Sequence, residues 1–535
     1  MAPSSLTCSA RFAIAVILIL GLLAAGCGPT VGKESLFDGS PRPMSATVQA
    51  PLGEMTPPSA AWNTEEYAHL PENEFLSVEL HPLSTFAIDV DTASYANVRR
   101  FLLDGRMPPA DAVRIEEMIN YFNYEYPEPV GDHPLSITPE IGPCPWRPDH
   151  RLARIGIKGW EVPEGERGDA NLVFLLDVSG SMEAPDKLPL LKRAMSLLLR
   201  RLSDRDRVAL VVYAGASGLV LPSTPVTDRN RPRIQNALEA LGAGGSTHGS
   251  EGIRLAYQVA QENRISGGIN RVILATDGDF NVGITSEGEL TRLIEEKAKT
   301  GVYLTVLGFG TGNLNDAAME SLADHGNGMY AYIDSITEAR KVLVDQMGGT
   351  LITVARDVKI QVELNPRQVR AYRLIGYENR EMRPEEFEDD RKDAGELGSG
   401  QTVTALYELI PADGDDGPAS PSLKYQDRRP TTPAADSGEC FTVRVRYKDP
   451  DRDEAGELRL AVRDVGVPLE GTSEDFRFAS SVAALGMLLR DSAHRGNADY
   501  DLVLQLAREG RGEDPFGYRS EFINLVRNAQ AYSDR

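Results

Sequence analysis

The sequence predicts an α/β fold, with a doubly wound, mostly parallel sheet over residues 170–350 and antiparallel β-structure on either side of it. Three observations carry this prediction. Asn171-Leu-Val-Phe-Leu-Leu-Asp177 is a continuous apolar run that ends abruptly in small polar residues, as a fully buried parallel strand does. Leu188, Leu191, Met195, Leu198, Leu199 and Leu202 then recur at helical spacing. After Ile352 the apolar period switches to two, as in Val358-Lys-Ile-Gln-Val-Glu-Leu and Phe441-Thr-Val-Arg-Val-Arg-Tyr.

Within the α/β domain, strands are expected at 172–176, 207–213, 271–276, 302–308 and 329–333. Helices are expected at 188–202, 233–241, 251–261, 287–299, 314–323 and 338–347. The run 218–221 follows its predecessor after only a few residues, so it can pair only antiparallel, at an edge. Ahead of the domain, residues 84–91 read as a strand and 92–103 as a helix capped by Asp91 or Thr92. Met107-Pro-Pro breaks that helix, and 111–122 reads as a second one. The runs 135–140 and 152–158 read as strands, as do 358–364, 372–375, 403–409, 441–447 and 458–462. Together they predict a β-sandwich in which the α/β domain is an insertion. The acidic loop 385–393 and the Pro/Asp/Gly-rich stretch 411–438 between them are expected to be mobile. Residues 476–489, 500–507 and 520–531 are expected to be helical.

At 535 residues the chain is too long for one core. The net charge of -23 argues against nucleic acid as a partner, because phosphate binding needs clustered Lys and Arg. At the N-terminus, Arg11 precedes an apolar run over 12–23, too short to span a bilayer but right for a signal-peptide core. It ends Leu23-Ala-Ala-Gly-Cys27, which resembles the lipobox of bacterial lipoproteins, with Ala24 where Leu is usual. The resemblance implies that Cys27 carries lipid and begins the mature chain. Gly28 after it implies the outer membrane where the cell has one. The expected organisation is a signal peptide at 1–26, a disordered tether at 27–74, a helical segment at 75–130 and flanking strands at 131–169. The α/β domain follows at 170–350, the sandwich at 351–470 and a helical segment at 471–535. Cys144 and Cys440 remain, both expected in the sandwich. In an exported, oxidising compartment they either pair in a disulfide or stay free and buried.

The candidate chemistry lies at the strand ends. Asp177, Ser179 and Ser181 stand two residues apart on a loop between a strand and a helix, in the crevice where open α/β sheets bind ligands. Hard oxygen donors on a tight loop point to Mg²⁺ or Mn²⁺. Thr247, in Gly244-Gly-Ser-Thr247, and Asp277, after Ile273-Leu-Ala-Thr, converge on the same sheet edge. This set resembles the von Willebrand factor type A domain, whose metal-ion-dependent adhesion site is Asp-x-Ser-x-Ser, a distant Thr and a distant Asp. The resemblance implies a Rossmann-like fold, with Ser179, Ser181 and Thr247 ligating through hydroxyls and Asp177 and Asp277 acting directly or through water. Helix capping and a turn would explain these residues one at a time, but not five together. The flanks Tyr95-Ala-Asn-Val-Arg-Arg-Phe-Leu and Phe478-Ala-Ser-Ser-Val-Ala-Ala-Leu-Gly-Met-Leu-Leu-Arg resemble a family of bacterial envelope lipoproteins. Members of that family carry a type A domain ahead of a C-terminal domain of unknown function.

Enzymatic readings fail on the residues. Asp89 and Asp91 mimic a haloacid-dehalogenase nucleophile loop, but Ala93 stands at its fifth position and helix capping accounts for them better. At the main loop, Ser179 stands where such a phosphatase needs a second Asp as general acid. His248 is the nearest base in sequence to a serine, with no elbow motif around Ser179 or Ser181. A calcium-loop reading of Asp277-Gly-Asp279-Phe-Asn281 fails at Val282 and Gly288. The expectation is therefore a non-enzymatic, membrane-tethered adhesion or scaffold lipoprotein that takes a partner's Asp or Glu carboxylate through Mg²⁺. The alternatives are a structural envelope protein with a vestigial or stabilising metal, or an accessory subunit of an envelope complex.

Overall fold

The computed structural model describes residues 65–214, 217–245, 249–278, 287–312, 314–418, 424, 431–450, 452 and 454–533. The α/β domain is built on a six-stranded sheet in the order Tyr330–Ile333, Tyr303–Phe309, Ile269–Thr276, Ala170–Asp177, Arg207–Tyr213, Ser217–Pro225. All neighbours run parallel except the last pair. The central strand shows why its sequence is apolar throughout. Leu172, Phe174 and Leu176 enter one core with the helix Leu188–Arg201, while Val173 and Leu175 enter the other with the helix Gly249–Glu262. Both faces are covered, so every residue from Leu172 to Leu176 is apolar, and the buried Asn171 at the start of the strand is satisfied by donating to the Ala260 carbonyl.

Two further sheets form the sandwich. One runs Leu76–Ser77, Val369–Ile375, Thr402–Pro411, Arg151–Gly159, Leu135–Pro143; the other runs Glu381–Met382, Leu83–Ala87, Thr353–Leu364, Phe441–Lys448, Ala455–Val462. The strand Arg151–Gly159 pairs antiparallel with Thr402–Pro411, from Lys158 opposite Thr402 to Arg151 opposite Leu409. The chain thus leaves the sandwich after Gly159, builds the α/β domain and returns at Thr353. Ala153, Ile155 and Ile157 fill the sandwich core, and Leu152 points the other way, into a core with Phe476, Phe478 and Phe522 from the C-terminal helices Glu474–Leu489 and Tyr518–Ser533. The expected doubly wound domain, its antiparallel edge and its insertion in a sandwich are all present.

Several expectations are corrected. The acidic loop is not mobile: its 3₁₀ turn Pro384–Glu388 and the residues after it are clamped to the outward face of Phe441–Lys448. Glu388 pairs with Arg444 and Arg446, and Asp390 pairs with Arg446. Residues 419–423 and 425–430 of the 411–438 stretch lie outside the described residues, and Pro433–Ser437 forms a 3₁₀ turn. Cys144 and Cys440 are free thiols and do not share a core. Cys144 packs against the C-terminal helices and Cys440 sits in the sandwich, and burial pushes both thiols up. The predicted helix 338–347 is broken into Ile336–Arg340, a π-turn Lys341–Asp345 and Met347–Leu351.

The largest correction concerns Asp89 and Asp91, which do not cap the helix Ala93–Leu103; its N-cap is Thr92, without a side-chain bond. Asp91 instead accepts from the Tyr330 backbone N–H at 2.7 Å, and both aspartates bind Arg380. Arg380 also reaches Glu320 and, at 2.7 Å, Asp324 on the α/β helix Asp316–His325. Arg114 bridges Glu117, Asp316 and Glu320. Six carboxyl groups therefore surround two guanidinium groups where the N-terminal segment, the α/β domain and the sandwich meet. Burial pushes Asp316 and Asp324 up to about 6. Breaking such a buried pair by removing one partner costs roughly 3–5 kcal/mol.

Glu116, on the short helix Ile115–Asn120 of this junction, is completely buried, and among the described residues no other residue donates a hydrogen bond to its carboxyl oxygens. Burial, with the charges of Glu378 and Asp89, pushes it up to about 8. A raised carboxyl makes the folded state the better proton binder, so its contribution is present at low pH and is lost as pH rises through about 8. The melting temperature of the wild type should accordingly fall between pH 6 and pH 9 more steeply than that of Glu116→Gln, as followed by circular dichroism. Parallel curves would contradict this.

Candidate metal centre

Asp177 ends the central strand, and Asp277 directly follows its neighbour Ile269–Thr276; both are fully buried. Leu176 pairs with Ala275, so the two carboxylates emerge side by side at the C-terminal edge of the sheet. Successive crossovers lead away from this point in opposite directions, one toward Arg207–Tyr213 and the other toward Tyr303–Phe309, which makes it a topological switch point.

The loop after Asp177 is held by its own hydrogen bonds. The Ser179 N–H donates to Asp177 Oδ1 at 2.8 Å, and the Thr276 hydroxyl donates to Asp177 Oδ2 at 3.3 Å. Met182 anchors the 3₁₀ turn Gly180–Glu183 in the core. Two backbone bonds, Gly180 N–H to Gly245 O and Gly244 N–H to Val178 O, tie this loop to the one that leads toward Thr247. Ser179 is buried and Ser181 exposed, with their hydroxyl oxygens 3.0 Å apart. The loop thus brings the two hydroxyls together in a mutual hydrogen bond, one from a buried residue and one from an exposed residue. Burial pushes the Asp177 carboxyl up to about 6, against the hydrogen bonds from Ser179, and the Asp277 charge adds to the rise.

Four of the five expected ligands, Asp177, Ser179, Ser181 and Asp277, are described, and all four lie at this edge. Thr247 lies outside the described residues, as do His248, Asp279, Asn281 and Cys27. The donors are all oxygen, two carboxylates and two hydroxyls, which suits a hard divalent cation. Sequence reasoning missed Lys187, whose ammonium donates to Asp277 Oδ2 at 2.9 Å with its side chain 9% exposed. Nothing in its spacing marks it, because the residue before an apolar helix is ordinarily a solvated one.

A second carboxylate group is Asp89, Asp91 and Glu320, with one oxygen of each within 4.8 Å of the others. Both oxygens of every carboxylate there already accept hydrogen bonds, from Arg380, Arg114, Asn379 and the Asp91 and Tyr330 backbones. Guanidinium groups are the cations of that cluster.

The sheet order and this oxygen-lined edge define a von Willebrand factor type A domain, and the family model described as "von Willebrand factor type A domain" matches residues 171–346. The model "von Willebrand factor" matches 61–154, and "Uncharacterized protein YfbK, C-terminal" matches 349–532. The chain is 40% identical over 481 residues to the uncharacterized protein YfbK of Escherichia coli (strain K12), covering 88% of this chain and 82% of that one. It belongs to the YfbK family of bacterial type A domain proteins. It is also 33% identical over 141 residues to the magnesium-chelatase 60 kDa subunit of Cereibacter sphaeroides, covering 26% of this chain and 24% of that one. Among solved structures it is similar to a von Willebrand factor type A protein from Catenulispora acidiphila, 16% identical, with a TM-score of 0.39 over 73% of this chain and 89% of that one.

Because Lys187 and Asp277 are buried against each other, their substitutions should not be additive. In metal-free buffer, Asp277→Ala should cost about 3 kcal/mol, in line with a broken buried pair. Adding Lys187→Met should recover part of the lost melting temperature. Strictly additive losses would show that the two groups do not interact.

Proposed function

We propose that this protein is a metal-dependent protein-binding or scaffold lipoprotein of the bacterial cell envelope, without catalytic activity. Type A domains generally serve interaction or scaffold roles, and the observation that carries the finer reading is the asymmetry of the serine pair. Asp177, Asp277 and Ser179 are buried donors and Ser181 is an exposed one, and these four, with Thr247 by resemblance, would hold Mg²⁺ or Mn²⁺. A bound Mg²⁺ supplies an electrophilic position open to a carboxylate, because it retains exchangeable water. The partner would offer Asp or Glu. Lipid on Cys27 would fix the protein to the membrane, on the outer membrane where there is one. The expected tether 27–74 is shortened at its end, because Glu65, Leu70 and Glu72 already bond to Arg100, Arg490 and Ser492 of the folded body.

A second reading is favoured by the buried junction and by the Lys187–Asp277 pair. Here the α/β domain is a fixed structural part of an envelope protein and the metal stabilises it or is vestigial. Partner capture separates the two. Detergent-solubilised full-length protein, incubated with envelope extract, should retain a partner in Mg²⁺ and release it in EDTA or excess acidic peptide. Ser181→Ala, an exposed position, should weaken retention at least tenfold while leaving the melting temperature in EDTA unchanged. The same proteins retained with EDTA and with Ser181→Ala would put the structural reading ahead.

A further inference from the structure

We propose that Lys187 is a built-in competitor for the metal, an ammonium that occupies the Asp277 carboxylate and that the divalent cation must displace. This rests on the metal-binding reading above and adds to it a residue that sets affinity.

The position of Lys187 is fixed by its backbone. Its N–H donates to the Ala184 carbonyl, and its own carbonyl accepts from Leu191 at the start of the helix Leu188–Arg201. The side chain then runs inward instead of out to solvent. It passes directly beside Gly310, in the loop after the strand Tyr303–Phe309. There φ is +77°, and a Cβ would lie 2.3 Å from Lys187 Cγ and 2.4 Å from Cε. No side chain fits beside the lysine stem at that distance, so the bare glycine opens the passage that lets the ammonium reach Asp277. The fold therefore reserves space for this lysine.

The consequence is electrostatic. Asp177 and Asp277 alone would present two negative charges to a divalent cation, and with the Lys187 ammonium on Asp277 these three side chains carry a net charge of minus one. The ammonium takes Oδ2, one of the two oxygens with which Asp277 would bind the metal or a metal-bound water. Attraction between unit charges a few ångströms apart in a partly buried site is worth several RT, so this neutralisation lowers affinity by at least an order of magnitude. A partner's carboxylate would return the missing negative charge. Metal and partner would then tighten each other's binding, by the same factor in each direction.

The test is calorimetric titration of full-length protein with MgCl₂, comparing wild type with Lys187→Met, Lys187→Gln and Lys187→Arg, each checked for folding by circular dichroism. The two neutral variants should bind Mg²⁺ at least tenfold tighter than wild type, and Lys187→Arg should not. Unchanged or weaker binding in the neutral variants, with wild type still binding, overturns the proposal and leaves the metal reading standing. Absence of Mg²⁺ binding in all four overturns both. Should the neutral variants not fold, amine acylation of the wild type, read by mass spectrometry at Lys187, decides the matter. Saturating Mg²⁺ should speed labelling severalfold, and equal labelling with Mg²⁺ bound overturns the proposal.

Discussion

The architecture depends on buried guanidinium groups at the place where three parts of the chain meet. Arg380, in the turn between the sandwich strands Val369–Ile375 and Glu381–Met382, binds two aspartates of the N-terminal segment and two acidic residues of an α/β helix. Arg99 does the same on the other side of the N-terminal helix, joining Asp334 and Glu338 of the α/β domain to Glu521 of the last helix. Apolar packing also crosses this junction, since Ala93 and Ala96 of the N-terminal helix enter a core of the α/β domain, but it is non-directional. The bidentate ion pairs add direction to it. Charge and apolar contact together orient the α/β domain.

That orientation matters because the candidate metal edge is assembled from strand ends. Ala170–Asp177 and Ile269–Thr276 are rigid, fully buried strands, so the two carboxylates are placed by the sheet register and not by loop conformation. Sites on rigid elements hold geometry better than sites on loops. The loop contributes what the strands cannot, a pair of hydroxyls that meet in a hydrogen bond. The same economy of internal cations recurs here. Lys187 neutralises a buried carboxylate at the sheet edge as Arg114 and Arg380 do at the junction, but with one charge on a flexible stem instead of a planar fork.

Much of this was legible in the sequence, for definite physical reasons. The buried strands announce themselves by unbroken apolar runs, the sandwich strands by period two, and the edge strand by a linker too short for a crossover. Asp177, Ser179, Ser181 and Asp277 could be grouped because strand ends in a doubly wound sheet converge. What stayed hidden depends on partners distant in sequence. Asp89 and Asp91 read as helix caps because their true partner, Arg380, is nearly 300 residues away. The acidic loop read as mobile because its clamp is every second residue of another strand, and Lys187 looked like an ordinary solvated lysine. Charged residues reveal their role only through tertiary neighbours, whereas apolar periodicity is local.

The central claim is that the divalent-cation site lies at the sheet edge and not in the acidic junction. Anomalous diffraction from crystals grown in MnCl₂ tests it most directly. The account predicts a manganese peak among the oxygens of Asp177, Ser179, Ser181 and Asp277, with Lys187 moved off Oδ2. A peak among Asp89, Asp91 and Glu320, or none at the sheet edge, would contradict it.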